Sequence, residues 1–309
     1  MLRKDIFKGE EAIILENNLI KAIVLPELGG KIASIYYKNK NFELVFQNKD
    51  SIYKKPELYS AFEEFDAAGF DDAFPTIDKC KVKYNGKDLE YPDHGEIWSS
   101  SFNIKAVKDH EVELEYCSKI LPYTFTKKIS LDEKNHINIQ YNISNLGEKD
   151  IPCIFAAHYL VNCEKNMEIC FPEDTYEIVM VQDSIRFGQS GTYYNYKSKN
   201  VEKIFSRVQD ENADNTEKYY VNHQVKQGRC SIKYHHKKVE YVLSYDSEKL
   251  PYLGFWVTEG GFRGDYNCAL EPCNGFYDNI DIAGKNEKLY YLKGGDKLDF
   301  HIDIEINDI

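Results

Sequence analysis

The run His136-Ile137-Asn138-Ile139-Gln140-Tyr141-Asn142-Ile143 decides the fold class. Ile137, Ile139, Tyr141 and Ile143 fall on one face while Asn138, Gln140 and Asn142 fall on the other, the period of two that a half-buried antiparallel strand requires. Working outward, similar β-rich segments recur at 19–25, 31–37, 42–46, 111–117, 125–131 and 151–160. They resume at 167–171, 176–181, 230–234, 239–245, 252–258, 289–292 and 298–306. Lys293-Gly294-Gly295-Asp296 predicts a tight hairpin turn between the last two. Residues 56–65 read as a helix, with Pro56 at its start and Leu58, Ala61, Phe62 and Phe65 along one face. Most connections are too short for the helices that parallel strands need, so the reading is all-β. It predicts a large antiparallel β-sandwich of two sheets with few short helices, a barrel being the alternative.

No internal repeat or Pro/Ser-rich linker divides the chain, which predicts one domain over residues 1–309. Residues 182–225, rich in Gln, Asn, Asp, Gly, Ser and Lys, read as a long excursion from the sheets that covers a site. Hydrophobic residues at 42% and aromatics at 14% supply a substantial core and exclude a disordered composition. A net charge of −12 without a Lys/Arg run argues against nucleic acid and anionic membrane surfaces as partners. The start carries Arg3, Lys4, Asp5, Lys8, Glu10 and Glu11 without an apolar stretch, so it does not read as a signal peptide. No apolar run approaches the roughly 20 residues of a membrane span, and the expected location is cytoplasmic. The eight cysteines, among them Cys117, Cys153, Cys170 and Cys268, lack CxxC pairs and read as buried thiols. No metal site is expected, since only Cys268 and Cys273 approach ligand-pair spacing. A monomer or homodimer is the expected state.

Four segments carry ionisable groups that ordinary strand sequence does not require. In Gly69-Phe70-Asp71-Asp72-Ala73-Phe74-Pro75 two acids sit among apolar residues, which is costly unless they bind something or accept hydrogen bonds; the alternative is an Asx turn or helix cap. In Pro92-Asp93-His94-Gly95-Glu96-Ile97-Trp98 a histidine donor adjoins a flexible glycine and a flat apolar ring, both useful to a sugar, or else forms a surface turn. A second histidine for a cupin-like metal site is missing there. In Phe155-Ala156-Ala157-His158-Tyr159-Leu160 a histidine interrupts an apolar strand, as a catalyst or as a satisfied structural residue. In Ala269-Leu270-Glu271-Pro272-Cys273-Asn274-Gly275 the glutamate ends a short strand before a turn, placing it at the sheet's rim. Burial would raise it toward the range of a general base; otherwise it braces the turn.

Taken in order, these segments resemble the galactose mutarotase-like family, also called aldose 1-epimerases. The resemblance starts at Leu25-Pro26-Glu27-Leu28-Gly29-Gly30-Lys31-Ile32 and runs through Asp93-His94-Gly95 and His158. It ends with Leu270-Glu271-Pro272, Gly275 and the glycines Gly294 and Gly295, covering nearly the whole chain. It implies a large antiparallel supersandwich and an enzyme that interconverts the α and β anomers of a free sugar without metal or organic cofactor. It further implies His158 as general acid, Glu271 as general base and His94 as a second histidine on the sugar. Where studied mutarotases carry an Asn-Arg pair, this chain has Asp71 and Asp72, expected here to touch substrate together with Trp256 and Arg263. Arg263 is also the residue to inspect for a phosphorylated hexose. Two other functions stay open: a non-catalytic carbohydrate-binding or sensing protein, and a glycoside-cleaving enzyme pairing Glu271 with Asp71 or Asp72, for which carboxylates roughly 5 to 10 Å apart are needed.

Overall fold

The computed structural model describes residues 3–309 apart from residue 66. The charged start also includes Met1 and Leu2, which lie outside the described residues. Two large sheets, one of 13 strands and one of 8, carry the fold, and every pairing between named strands is antiparallel among the described residues. His136–Asn145 lies inside the smaller sheet between Tyr123–Leu131 and Lys297–Asp308, and its alternating burial follows the sequence pattern. The larger sheet runs through Lys31–Tyr37, Phe70–Ala73, Ala156–Tyr159, Tyr266–Cys273, Tyr252–Glu259 and Asn215–Val221 in that spatial order. Side chains from both sheets merge in one apolar core, for example Phe155 against Phe300 at 4.6 Å and Phe70 beside Tyr241. The all-β sandwich expected from the alternation is the observed architecture, with two short helices, Lys199–Phe205 and Ile280–Lys285.

Several local expectations are corrected. Residues 56–65 do not form a helix; only Phe62–Glu64 makes a 3-10 turn. Tyr59 takes a left-handed φ of 75°, and the Phe62 N–H goes to Asp93 Oδ2 instead of a helical carbonyl. The turn at Gly294 and Gly295 exists, but it is no hairpin: Tyr290–Leu292 pairs with Ile151–Cys153, whereas Lys297–Asp308 pairs within the 8-stranded sheet. The segment 151–160 splits at Ile154 and Phe155, so that Ile151–Cys153 and Ala156–Tyr159 join different sheets. The excursion is interrupted and ends early: Tyr193–Asn195 is an end strand of the large sheet, and Asn215–Val221 lies inside it between Tyr252–Glu259 and Glu177–Met180. Cys117, at a strand end on the outward face, is exposed, and Cys163 and Cys170 are partly so, against the expectation of buried thiols.

Strand alternation divides the large sheet into an inner face, packed on the second sheet, and an outer face. Phe70, Asp72, Tyr159, Leu270 and Tyr219 point inward; Asp71, His158, Glu271 and Lys218 point outward. Asp71 lies opposite His158, and Gly254 lies opposite both Glu271 and Tyr220. These residues form a row across neighbouring strands, about 4.8 Å apart.

Candidate active site

On the outer face lies a cavity of about 360 Å³, lined among others by His94, His158, Lys218, Trp256, Asn267 and Asp278. Its size falls within the roughly 300–1,000 Å³ of ligand pockets. His158 reaches it from Ala156–Tyr159. Glu271 lies directly behind the lining, fully buried, with Oε1 3.7 Å from His158 Nε2 and Oε2 3.6 Å from Lys218 Nζ. It does not end its strand: Tyr266–Cys273 continues through Pro272, so the carboxylate sits in mid-sheet and not at a rim. Gly254 makes this possible, since a Cβ there would stand 2.9 Å from the Tyr220 ring and 3.2 Å from Glu271 Oε2.

Electrostatics in this row follow from burial. Desolvation pushes the Glu271 carboxyl above its ordinary range, partly offset by the Lys218 ammonium and reinforced by Asp278. Desolvation pushes His158 well below its ordinary value, helped by the neighbouring His94, Lys218 and Lys31. Both shifts disfavour charge, so the two groups together hold one transferable proton. Burial opposes charge on Lys218 too, but Asp278 and Glu271 outweigh it and hold the ammonium protonated. Lys218 Nζ lies 3.0 Å from Asp278 Oδ1, which also accepts the Tyr220 hydroxyl at 2.7 Å.

His94 closes one side of the cavity. Asp93 Oδ1 lies 2.8 Å from its Nδ1, and since burial of that carboxyl is outweighed by the hydrogen bond and charge of His94, Asp93 stays ionised and can only accept. Nδ1 therefore carries a proton and Nε2 is left for a ligand. Phe62 stacks on the His94 ring at 4.1 Å, and its N–H donates to the second Asp93 oxygen. The backbone of His94 has a left-handed φ of 56°, and Gly95 follows at 70°, where a Cβ would stand 1.9 Å from the Phe74 carbonyl oxygen. The His94 and His158 rings meet edge-on at 4.9 Å. Trp98, buried beneath, donates to the Asp93 carbonyl and so supports the loop, outside the cavity lining.

Of the residues expected to touch substrate, Trp256 lines the cavity, edge-on to Phe262. The other three do not line it. Asp72 faces inward, its oxygens taken by Lys127 Nζ and the Tyr141 hydroxyl at 2.8 Å each. Asp71 is outward-facing but ion-paired with Lys31 at 3.1 Å. Neither acid forms an Asx turn or cap; both lie within the strand Phe70–Ala73. Arg263 turns away to the carbonyls of Glu63 and Phe65, bracing that loop. A glycosidase pair of Glu271 with Asp72 is thereby not assembled, because the two side chains occupy opposite faces of the sheet. Sequence reading passed over Lys218, Asp78, Asn267 and the role of Asp278. The alternation in Asn215–Val221 is obscured because Glu217 and Tyr220 are both buried, one on each face.

Among the described residues, no three His, Cys, Asp or Glu side chains are grouped to hold a metal ion, and no helix is long and apolar enough to cross a membrane. Compared with known protein families, residues 11–303 match aldose 1-epimerase. The chain belongs to the aldose 1-epimerase family. Solved structures with the same fold include the Slr1438 protein of Synechocystis sp. PCC 6803, at TM-score 0.75 and 14% identity with both chains fully covered. A galactose mutarotase-like protein of Lactobacillus casei gives TM-score 0.72 at 16% identity, over 96% of this chain and 100% of its own. A galactose mutarotase-like protein of Clostridium acetobutylicum gives 0.71 at 15%, over 100% and 99%. No curated protein matches the sequence.

Proposed function

We propose that this member of the aldose 1-epimerase family interconverts the α and β anomers of a free sugar, with His158 and Glu271 as the acid and base. The observation that carries the reading is the facing pair itself: a histidine and a glutamate 3.7 Å apart at a sugar-sized cavity, with burial of both leaving the pair one proton to share. Ring opening removes the proton from the anomeric hydroxyl, breaks the bond from C1 to the ring oxygen and protonates that oxygen. In the assigned roles the proton the pair shares stands on His158 when the sugar is bound, so that Glu271 as carboxylate takes the first proton and His158 as imidazolium gives the second. Rotation about the C1–C2 bond and reclosure return both protons, so the pair ends as it began. Each positioned group supplies on the order of 10²- to 10⁴-fold, enough for a reaction that already proceeds in water. His94, fixed by Asp93 and Phe62, offers Nε2 to a sugar oxygen or hydroxyl, while Trp256 offers an apolar ring to a pyranose face.

Lys218 completes the arrangement. Its ammonium opposes the effect of burial on Glu271 and so favours the carboxylate that a base needs, and Asp278 fixes where it stands. Polarimetry on freshly dissolved α-aldoses tests the proposal. Rotation should reach its equilibrium value faster with protein, in proportion to its concentration. Decay at the buffer rate for every aldose tried would leave only sugar binding.

A further inference from the structure

Resting on the sugar-binding reading above, we propose that the cavity sorts sugars by charge: it takes unphosphorylated sugars and prefers one bearing an amino group, whose ammonium is received by Asp78. Among the described residues lining the cavity, the carboxylates are Glu63, Asp78, Asp93 and Asp278, and Lys218 is the lysine or arginine opposing them. That cation is already engaged, with Asp278 at 3.0 Å and Glu271 at 3.6 Å. Arg263, which a phosphate would need, is turned to the Glu63 and Phe65 carbonyls. An incoming phosphate or carboxylate therefore meets carboxylates without a free lysine or arginine among the described lining residues.

The carboxylates are not equivalent. Asp93 is committed to His94 and the Phe62 N–H, and Asp278 to Lys218 and Tyr220. Asp78 is exposed at the wall, and no side-chain donor among the described residues hydrogen-bonds its carboxylate. Desolvation there, together with the Asp278 charge, outweighs Lys218 and His94 and pushes its carboxyl above the ordinary value, so an added cation is favoured. Its backbone is pinned, since the N–H groups of Ile77 and Asp78 both donate to the Asp278 carbonyl, at 3.1 and 2.7 Å. The carboxylate is thus presented on a fixed segment.

An independent feature points the same way. Asn267, buried to 2% exposure, lines the cavity with an Oδ1 that has no hydrogen-bond partner, and both Glu271 oxygens lack one behind the wall. With Asp78, the unmet demand of the cavity is for hydrogen-bond donors. Hydroxyl and ammonium groups donate; phosphate and carboxylate groups do not. A charge placed a few ångströms from an unpaired like charge costs on the order of tenfold or more in affinity, and an opposite charge gains similarly.

The test is calorimetric titration, near neutral pH and low salt, with hexosamine, hexose, hexuronate and hexose 6-phosphate of matched gluco and galacto configuration. The hexosamine should bind about tenfold tighter than its hexose, and both anionic sugars about tenfold or more weaker. Asp78→Asn should remove the hexosamine advantage while the hexose still binds. The inference is overturned if no hexosamine binds, if it binds no tighter than its hexose, if an anionic sugar binds as well as the hexose, or if Asp78→Asn leaves the order intact. Because binding is read apart from anomerisation, the charge order without catalysis would defeat the enzymatic reading alone, and catalysis with a phosphate sugar bound best would defeat this inference alone.

Discussion

On the inner face of the large sheet Asp72 meets Lys127, and on the outer face Glu271 meets Lys218. Both lysines are buried and both pairs are ionic, yet they are finished differently. The inner pair closes at 2.8 Å with neither side chain exposed, and the Tyr141 and Tyr159 hydroxyls complete the Asp72 carboxylate. The outer pair stands at 3.6 Å, leaves both Glu271 oxygens without a hydrogen bond, and adjoins a histidine whose Nδ1 also lacks one. An interior ion pair whose hydrogen bonds are complete ties two sheets together and has nothing left to give a ligand. One left incomplete beside a cavity holds its unmet hydrogen bonds for what enters.

The sharpest way to break this contrast is to remove one partner from each cluster. Lys127→Met leaves the Asp72 charge uncompensated between the sheets and should cost about 3–5 kcal/mol in denaturant unfolding. Glu271→Gln removes a charge that is already poorly satisfied, so stability should stay within about 1 kcal/mol of wild type or rise. Equal losses in the two variants would contradict the division into a structural and a functional cluster.

A smaller effect sharpens the role of Lys218. Removing its ammonium in Lys218→Met takes away the main influence holding the Glu271 carboxyl down, so that carboxyl rises further. The base must be deprotonated, and the acid limb of the pH–rate profile should move up by about one unit or more. Lys218→Arg should retain most of the wild-type profile. A parallel loss of rate at all pH values with no movement of the limb would make Lys218 merely structural.

The smallest effect concerns His158 and stability. Its folded-state value is depressed by burial, so as pH falls below about 6.5 the unfolded chain takes up a proton that the folded one refuses. Its contribution is present above that pH and is lost on acidification toward the folded value. His158→Asn should accordingly lose less stability than wild type between neutral and mildly acid pH. Identical pH dependence in the two proteins would contradict the depressed value.

Period-two alternation made the sandwich legible, because residues such as Ile137 and Ile139 need only a sheet with one wet and one dry face. It failed where both faces are buried: in Asn215–Val221 the run reads as irregular, and with it Lys218 was hidden. His94, His158 and Glu271 were legible as ionisable groups in apolar or turn settings, but nothing local states that they converge. That follows from strand order, which places Ala156–Tyr159 beside Tyr266–Cys273 across more than a hundred residues. Asp71 and Asp72 were legible as costly and their neutralisation was not, since Lys31 and Lys127 come from other strands. Arg263 illustrates the same limit: in the sequence it reads as a candidate for a sugar phosphate, whereas its guanidinium meets the carbonyls of a loop some two hundred residues away.

The central claim, that His158 and Glu271 open and close a sugar ring, is tested most directly by NMR saturation exchange between the α and β resonances of an aldose series. Wild-type protein should accelerate exchange of at least one aldose, and His158→Asn and Glu271→Gln should each lower that rate by on the order of 10² to 10⁴. Exchange at the buffer rate with wild type, or undiminished exchange in both variants, would contradict it.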